Sequence, residues 1–286
     1  MTYPLVPSAH TYDVEEFGFT DLKKGVQQLL GFDTFQYNDS YLERRLQSRM
    51  RRTNLSSYQR YWSLLKESSE EQEHLFDALT INVTEFFRDH QVYRFLQDKV
   101  LPLLLQNNNH RLRIWSAGCA DGKEPYSIAI LLSEIVGHEK MLERVEIIGT
   151  DIDNKCLAKA QRGIFESHPG FFQADIEEQL SFLEAPQRYF DINGQCYSVK
   201  PWLRQVVSFY NHDLTSGVAV DHVDIIFCRN VVIYFTKALK DRLYPQLYHA
   251  LNPGGFLLLG MTEVLQGTSR ELFYPFNPLY RAYRKE

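Results

Sequence analysis

The stretch Arg113-Ile-Trp-Ser-Ala-Gly-Cys-Ala-Asp-Gly-Lys-Glu-Pro-Tyr-Ser joins an apolar run to a loop holding Gly118 and Gly122, and a helix is expected to open at Glu124 or Pro125. Glycines let a ligand approach the backbone, and a helix start offers unpaired N–H groups. A tight strand-to-helix turn would use the same residues, so this loop alone leaves both readings open. It is not G-x-G-x-x-G, so the dinucleotide fingerprint is absent. Further on, Gly149-Thr-Asp-Ile-Asp-Asn ends a second apolar run. A carboxylate at the carboxyl edge of such a strand can accept both hydroxyls of a ribose. Asp151 stands there, while Asp153 is placed to cap the next helix. A ligand loop followed by an acid at the next strand end points to an adenosyl ligand.

Two more segments are polar where an apolar run stops. Asp224-Ile-Ile-Phe-Cys-Arg-Asn-Val-Val-Ile-Tyr-Phe brings Arg229, Asn230 and Tyr234 to a strand end, where sites form in α/β folds. Arg229 pairing a neighbouring acid and Tyr234 lying in the core is the alternative. Leu79-Thr-Ile-Asn-Val-Thr-Glu-Phe-Phe-Arg-Asp sets Asn82, Thr84 and Arg88 around an aromatic pair, which a helix cap and core face would also explain.

The elements that must carry these residues follow from periodicity. Phe17 to Leu30, Asp39 to about Arg52, a segment from Ser56-Ser57 and one from Ser68-Ser69 through Leu79 read as helices. From Arg111 the texture alternates. Buried strands are expected at Leu112–Ala117, Val145–Thr150, Val206–Tyr210, Val223–Cys228 and Phe256–Gly260, with helices at Glu124–Val136, Lys155–Arg162 and Lys237–Leu251. Short apolar runs separated by helices predict an α/β fold with a mainly parallel sheet. The segment 164–204 breaks this rhythm with a polar helix near Asp175–Leu183 and two β-like runs around Asn193-Gly194, a type I′ hairpin signal. The expected organisation is a helical domain over 1–100, a linker near 100–110, and an α/β domain over 101–286 with an inserted antiparallel β-subdomain at about 164–204.

Composition narrows the function classes. The chain has 286 residues, 44% apolar and 23% charged, with a net charge of −5, which excludes wholesale disorder and argues against a dedicated nucleic-acid binder. No apolar run approaches the ~20 residues that span a bilayer, and the first residues lack a basic region followed by an apolar one, so neither membrane insertion nor secretion is expected. The four cysteines form no C-x-x-C pair, so a reducing cytoplasm is expected and no metal site is.

Taken in order, these motifs resemble the bacterial chemotaxis receptor methyltransferases of the CheR type. The resemblance rests on Thr-x-Asn-x-Thr-x-Phe-Phe-Arg-Asp at 80–89, Trp-Ser-Ala-Gly-Cys with Glu-Pro-Tyr-Ser at 115–127, and Thr-Asp-Ile-Asp at 150–153. Ile-Phe-Cys-Arg-Asn-Val at 226–231, Ile-Tyr-Phe at 233–235, and Leu-Asn-Pro-Gly-Gly-Phe-Leu-x-Leu-Gly at 251–260 complete it. The resemblance implies a Rossmann-like methyltransferase that uses S-adenosyl-L-methionine, releases S-adenosyl-L-homocysteine, and esterifies glutamates on chemoreceptor signalling helices. It implies a cytoplasmic monomer recruited to membrane-bound receptors, with no nucleic-acid partner.

Residue by residue, the resemblance implies that Gly118, Glu124 and Asp151 hold the amino-acid and ribose parts of the cofactor. Asp213 and Leu214 would flank the adenine, although the family usually has Asn at the position of Asp213. Cys228, Arg229, Asn230 and Val231 would line the cleft. Asn82, Thr84 and Arg88 would close it from the helical domain, with Arg88 and Tyr234 nearest the methyl group and orienting the glutamate. A second departure from the family is Lys123, where Glu is common. Arg44, Arg45, Arg49, Arg51 and Arg52 would meet the acidic receptor helices, with Arg45, Arg49 and Arg52 on one helix face at i, i+4 and i+7. The hairpin at 189–199 matches the subdomain that docks a receptor tail in some members, but its turn is shorter than theirs, which speaks against such docking.

Two other readings compete. An NAD-dependent enzyme would need the missing glycine fingerprint and an acid about 20 residues beyond it, nearer than Asp151 is. A catalytically silent receptor-binding module would keep the fold without needing Arg88, Glu124, Asp151, Asn230 and Tyr234 together.

Overall fold

The computed structural model describes residues 17–107, 111–167 and 175–286. The chain forms two units, one of residues up to Phe35 with Asp39–Ala78, the other of Gln36–Asn38 with Leu79–Glu286.

The first unit is helical: α1 (Phe19–Leu30), α2 (Asp39–Arg52), α3 (Tyr58–Glu67) and α4 (Ser69–Leu79). Helix α1 stops at Gly31, whose φ of 67° is the left-handed value that ends helices at glycine. Gly25 lets α1 approach α3, because a Cβ there would lie 2.9 Å from the Trp62 ring. On α2, Tyr41, Leu42, Leu46 and Met50 are buried, and so is Arg49. The Arg49 guanidinium donates to both carboxylate oxygens of Glu71, at 3.0 and 2.6 Å, and the Tyr61 hydroxyl donates to Glu71 at 2.7 Å. Burial pushes the Glu71 carboxyl up, but Arg49 and Tyr61 outweigh it and hold Glu71 below the usual carboxylate range. The expected receptor-facing stripe of Arg45, Arg49 and Arg52 is therefore corrected. Arg49 is 8% exposed and consumed by Glu71, Arg45 is half-buried against the Tyr41 ring, and Arg52 is exposed. The other exposed arginines of α2 are Arg44 and Arg51.

The domain boundary lies at Leu79, not near residue 100. Helix α5 (His90–Phe95), a π-helical turn at Leu96–Val100 and α6 (Leu101–Asn107) bury Val92, Tyr93, Leu96, Val100, Leu101 and Leu104 in the cluster that holds Ile114, Ile128 and Leu132. Helical texture is the same on both sides of residue 79, and burial alone assigns this segment. Of the expected linker, 101–107 is helix and 108–110 lie outside the described residues.

The sheet-bearing unit continues through β1 (Leu112–Ala117), α7 (Lys123–Val136), α8 (His138–Arg144), β2 (Val145–Asp151), α9 (Asn154–Arg162), β3 (Ile164–Glu166), α10 (Ile176–Gln179), β4 (Phe190–Asn193), β5 (Cys196–Val199) and α11 (Pro201–Arg204). It ends with β6 (Val207–Asn211), β7 (Val223–Cys228), α12 (Lys237–Ala250), β8 (Leu251–Leu259), α13 (Ser269–Leu272), β9 (Tyr274–Asn277) and β10 (Ala282–Arg284). The seven-stranded sheet has the order β6-β2-β1-β7-β8-β10-β9, parallel from β6 to β8 and antiparallel at β10 and β9. This is the expected α/β class. Successive strands step outward from β1 to β2 and β6, then β7 begins on the other side. That reversal opens a crevice at the carboxyl ends of β1, β2 and β7.

A second, three-stranded antiparallel sheet, β3-β5-β4, lies within 164–204, and Gly194 makes the β4–β5 turn at φ 59°. Residues 168–174 of this insertion lie outside the described residues.

Candidate functional site

The β1–α7 loop folds over the end of β2. The Gly118 and Cys119 N–H groups both donate to the Thr150 carbonyl, at 2.8 and 2.9 Å. Gly118 has φ 78°, and a Cβ there would meet a Val231 methyl at 2.5 Å, so only glycine keeps this backbone close to the β7 loop. The Ala120 N–H donates to Asp151 Oδ2 at 2.8 Å, and the Asp153 N–H donates to Asp151 Oδ1 at 2.9 Å. Each Asp151 oxygen thus accepts one amide and keeps a lone pair for a further donor. Burial pushes the Asp151 carboxyl above its ordinary range, partly countered by these amides.

Asp153 caps α9 as expected, accepting from the Lys155 and Cys156 amides. Its other oxygen accepts from the Asn82 side-chain amide at 2.5 Å. Asn82 therefore acts on the crevice through Asp153. Thr84 is partly exposed in the irregular stretch that follows.

Residues 86–89 are pinned to the same unit. Phe86 is 1% exposed and packs edge-on to Phe165 and Phe190, with centroids 5.0 and 5.2 Å away. Phe87 stacks on Phe182 at 4.5 Å, and its N–H donates to the Ser127 hydroxyl at 2.9 Å. Among the described residues, non-glycine positions with positive φ include Phe87, Asp89, Ala120 and Asn230. Such conformations cost on the order of 1–3 kcal/mol each and persist where packing over-determines them.

The expectation that Arg88 and Tyr234 come from different domains is corrected: both belong to the sheet-bearing unit. The Arg88 guanidinium is partly exposed and reaches the Val83 carbonyl at 3.4 Å. Tyr234 ends a 3₁₀ turn, Val232–Tyr234, and is partly exposed.

Arg229 is turned inward. Its side chain is 1% exposed and donates to Asp89 Oδ2 at 2.6 Å, to the Arg88 carbonyl at 3.1 Å and to Glu124 Oε2 at 3.4 Å. Burial opposes its charge, yet Glu124, Tyr93 and Asp89 together hold its proton more tightly than in water. Arg229 is thus a brace between the 88–89 segment and α7. Glu124 also accepts from Ser116 at 2.7 Å and stays partly exposed.

Asp213 caps the turn Leu214–Ser216 by accepting from the Thr215 N–H at 2.8 Å, and the His212 N–H donates to the Asp151 carbonyl at 2.9 Å. Leu214 is buried. Cys228 is buried at the end of β7, and burial pushes its thiol far up, so it offers backbone rather than a nucleophile. Asn230 holds φ 60°. Lys123 pairs with Asp121 at 2.8 Å. Among the described residues no group of three or more His, Cys, Asp or Glu could hold a metal ion, and no helix is long and apolar enough to cross a membrane.

Sequence reasoning missed two acids. Asp89, the partner of Arg229, directly follows Arg88 in the motif and was legible there. Glu263, which accepts from the Asn230 amide at 2.7 Å, sits in Gly260-Met-Thr-Glu, where no spacing marks it.

The crevice suits an adenosyl ligand. Asp151 keeps acceptor capacity at the carboxyl end of β2, Gly118 keeps the backbone close to the β7 loop, and Glu124 presents a partly exposed carboxylate. A family model described as "CheR methyltransferase, SAM binding domain" matches residues 82–278, and one described as "CheR methyltransferase, all-alpha domain" matches 18–80. Relatives called chemotaxis protein methyltransferase are similar along most of the chain. One from Listeria monocytogenes is 31% identical over 238 residues, covering 83% of this chain and 86% of that protein. One from Borreliella burgdorferi is 30% identical, covering 91% of this chain and 92% of that protein. A third, Cher2 of Pseudomonas putida, is 38% identical, covering 68% of this chain and 70% of that protein.

Proposed function

The chain belongs to the CheR methyltransferase family, and we propose that it methylates glutamate side chains on the cytoplasmic helices of chemoreceptors. The observation that carries this reading is the Asp151 carboxylate, held by the Ala120 and Asp153 amides at the carboxyl end of β2 with acceptor capacity to spare. S-adenosyl-L-methionine, when bound, supplies an electrophilic methyl group whose loss leaves the neutral thioether S-adenosyl-L-homocysteine. Asp151 would take the ribose hydroxyls, Glu124 the amino-acid ammonium, and Gly118, Leu214 and the backbone of 228–231 the remaining surface.

The acceptor needs little activation. A glutamate has pKa ~4.3, so its carboxylate is ionised at neutral pH and no protein base is required. The chain's task is orientation, which supplies roughly 7–11 kcal/mol in the best-aligned intramolecular cases. Arg88 carries the cation that would hold the acceptor carboxylate by charge-assisted hydrogen bonds, and Tyr234 would fix its angle. An ion pair too tight would blunt the nucleophile, so Arg88 orients rather than activates.

On the helical unit, the exposed Arg44, Arg51 and Arg52 would meet the acidic receptor helices, a role from which the buried Arg49 is withdrawn. The enzyme would then act at the cytoplasmic face where those helices are displayed. The test is transfer of labelled methyl groups to a receptor cytoplasmic fragment. Replacement of the fragment's acceptor glutamates by alanine should abolish labelling, and label persisting undiminished would refute glutamate as the acceptor.

A further inference from the structure

Glu263 lies just past β8 with 3% of its surface exposed. Its Oε2 accepts the N–H groups of Asn230 and Gly260, at 2.7 and 2.6 Å, and its Oε1 accepts the N–H of Ile233 at 3.1 Å. Its own N–H donates to the Gly260 carbonyl at 2.9 Å, which turns the side chain back toward the end of β7. Gly260 leaves the room: a Cβ there would lie 2.7 Å from Glu263 Oε2 and 2.8 Å from the Asn230 nitrogen. Three amides on two carboxylate oxygens use acceptor capacity that a side-chain amide lacks, since its nitrogen only donates.

The turn that Glu263 grips is held from its other side by residues 36–38. The Asn38 N–H donates to the Tyr234 carbonyl at 2.9 Å, the Asn38 side chain donates to the Ile233 carbonyl at 3.3 Å, and the Tyr37 and Phe235 rings meet edge-on at 5.3 Å. With that side fixed, the Ile233 amide ties the turn to Glu263 one residue before Tyr234.

We infer that Glu263 is a positioning residue for methyl transfer, holding the Val232–Tyr234 turn through Ile233 and the cleft-lining Asn230 through its amide. This rests on the proposed function, in which Tyr234 orients the acceptor. A carboxylate that merely anchored the end of β8 would lower stability without separating turnover from cofactor affinity.

Glu263→Gln tests it. The substituted oxygen amide can still accept from Asn230 and Gly260, but its NH₂ then faces the Ile233 N–H, donor against donor. Turnover on a receptor fragment should fall about tenfold or more, while the Kd for S-adenosyl-L-homocysteine stays within about threefold. Hydrogen exchange of a peptide spanning 231–236 should quicken. In a Tyr234→Phe background the same substitution should change turnover by less than about twofold, because the residue it acts through is already impaired. If Glu263→Gln does not fold, Glu263→Asp, which keeps both acceptor oxygens on a shorter arm, should show the same split in milder form. Unchanged turnover and exchange, an undiminished loss in the Tyr234→Phe background, or affinity falling in step with turnover would each overturn the inference. A wild-type enzyme inert toward receptor would sink the functional reading instead, and exchange at 231–236 would still decide whether Glu263 holds this turn.

Discussion

The side-chain amide of Asn82 donates to Asp153 Oδ2 at 2.5 Å, joining positions 71 residues apart. Asp153 in turn gives its backbone N–H to Asp151, so Asn82 reaches the Asp151 carboxylate through one intermediary. Asn82→Ala should therefore lower stability by about 1.5–3 kcal/mol, the range for a hydrogen bond to a charged group. Cofactor affinity should fall less than on loss of Asp151. Thermal unfolding and calorimetric titration with S-adenosyl-L-homocysteine measure the two effects.

Asp151→Ala should weaken binding of S-adenosyl-L-homocysteine by about 1.5–3 kcal/mol for each lost charge-assisted bond, or roughly 10- to 150-fold. Unchanged affinity would displace the ribose from this carboxylate.

The same residue sets a pH dependence. Its pKa is raised by burial, so in the free protein Asp151 favours folding at low pH, and that contribution is lost as pH rises through the raised value. Ligand binding should have the opposite sign, because ribose hydroxyls held at Asp151 would donate to its ionised form. Affinity should fall as pH drops through that value, by at most about tenfold per pH unit for one proton. Asp151→Asn should bind more weakly and lose this slope.

Two arginines of one helix should behave differently. Arg49→Ala strands the buried Glu71 carboxylate and should cost about 3–5 kcal/mol. Arg52→Ala, at an exposed site, should leave stability within about 0.5 kcal/mol and slow receptor methylation, more so at low salt. Denaturant unfolding and initial rates at two ionic strengths separate them.

Much of the sheet-bearing unit was legible because its parallel strands are short apolar runs between glycine and polar loops. Leu112–Ala117 and Val223–Cys228 fall where the pattern put them. Strands β9 and β10 were not foreseen: Tyr274–Asn277 is short and contains a proline, and an edge strand needs no continuous apolar run. The 79–100 segment was assigned to the wrong unit because helix periodicity reports an apolar face, not what covers it. The arginine stripe failed for a related reason. Spacing puts Arg45, Arg49 and Arg52 on one face, but a Glu 22 residues beyond Arg49 draws that one arginine inward and leaves Arg52 exposed. The Asp153 cap and the placement of Asp151 at the end of β2 were readable since both follow from local chain direction. Glu263 was not, as its three amide partners are assembled only by the fold.

Arg88 and Tyr234 supply the sharpest kinetic prediction. If both orient one carboxylate, Arg88→Ala should lower turnover by up to roughly 100-fold while hardly changing cofactor affinity. The Arg88→Ala, Tyr234→Phe double variant should be less impaired than the product of the single losses. A double-mutant cycle on receptor methylation measures this, and multiplicative losses would mean the two residues act separately.

The most direct measurement is the chemical nature of the product. Receptor fragment incubated with the protein and methyl-labelled S-adenosyl-L-methionine should gain label that mild base releases as methanol, the signature of a carboxyl methyl ester, with one S-adenosyl-L-homocysteine formed per methyl. Label stable to base, or cofactor turnover with no label on the receptor, would contradict glutamate esterification by this enzyme.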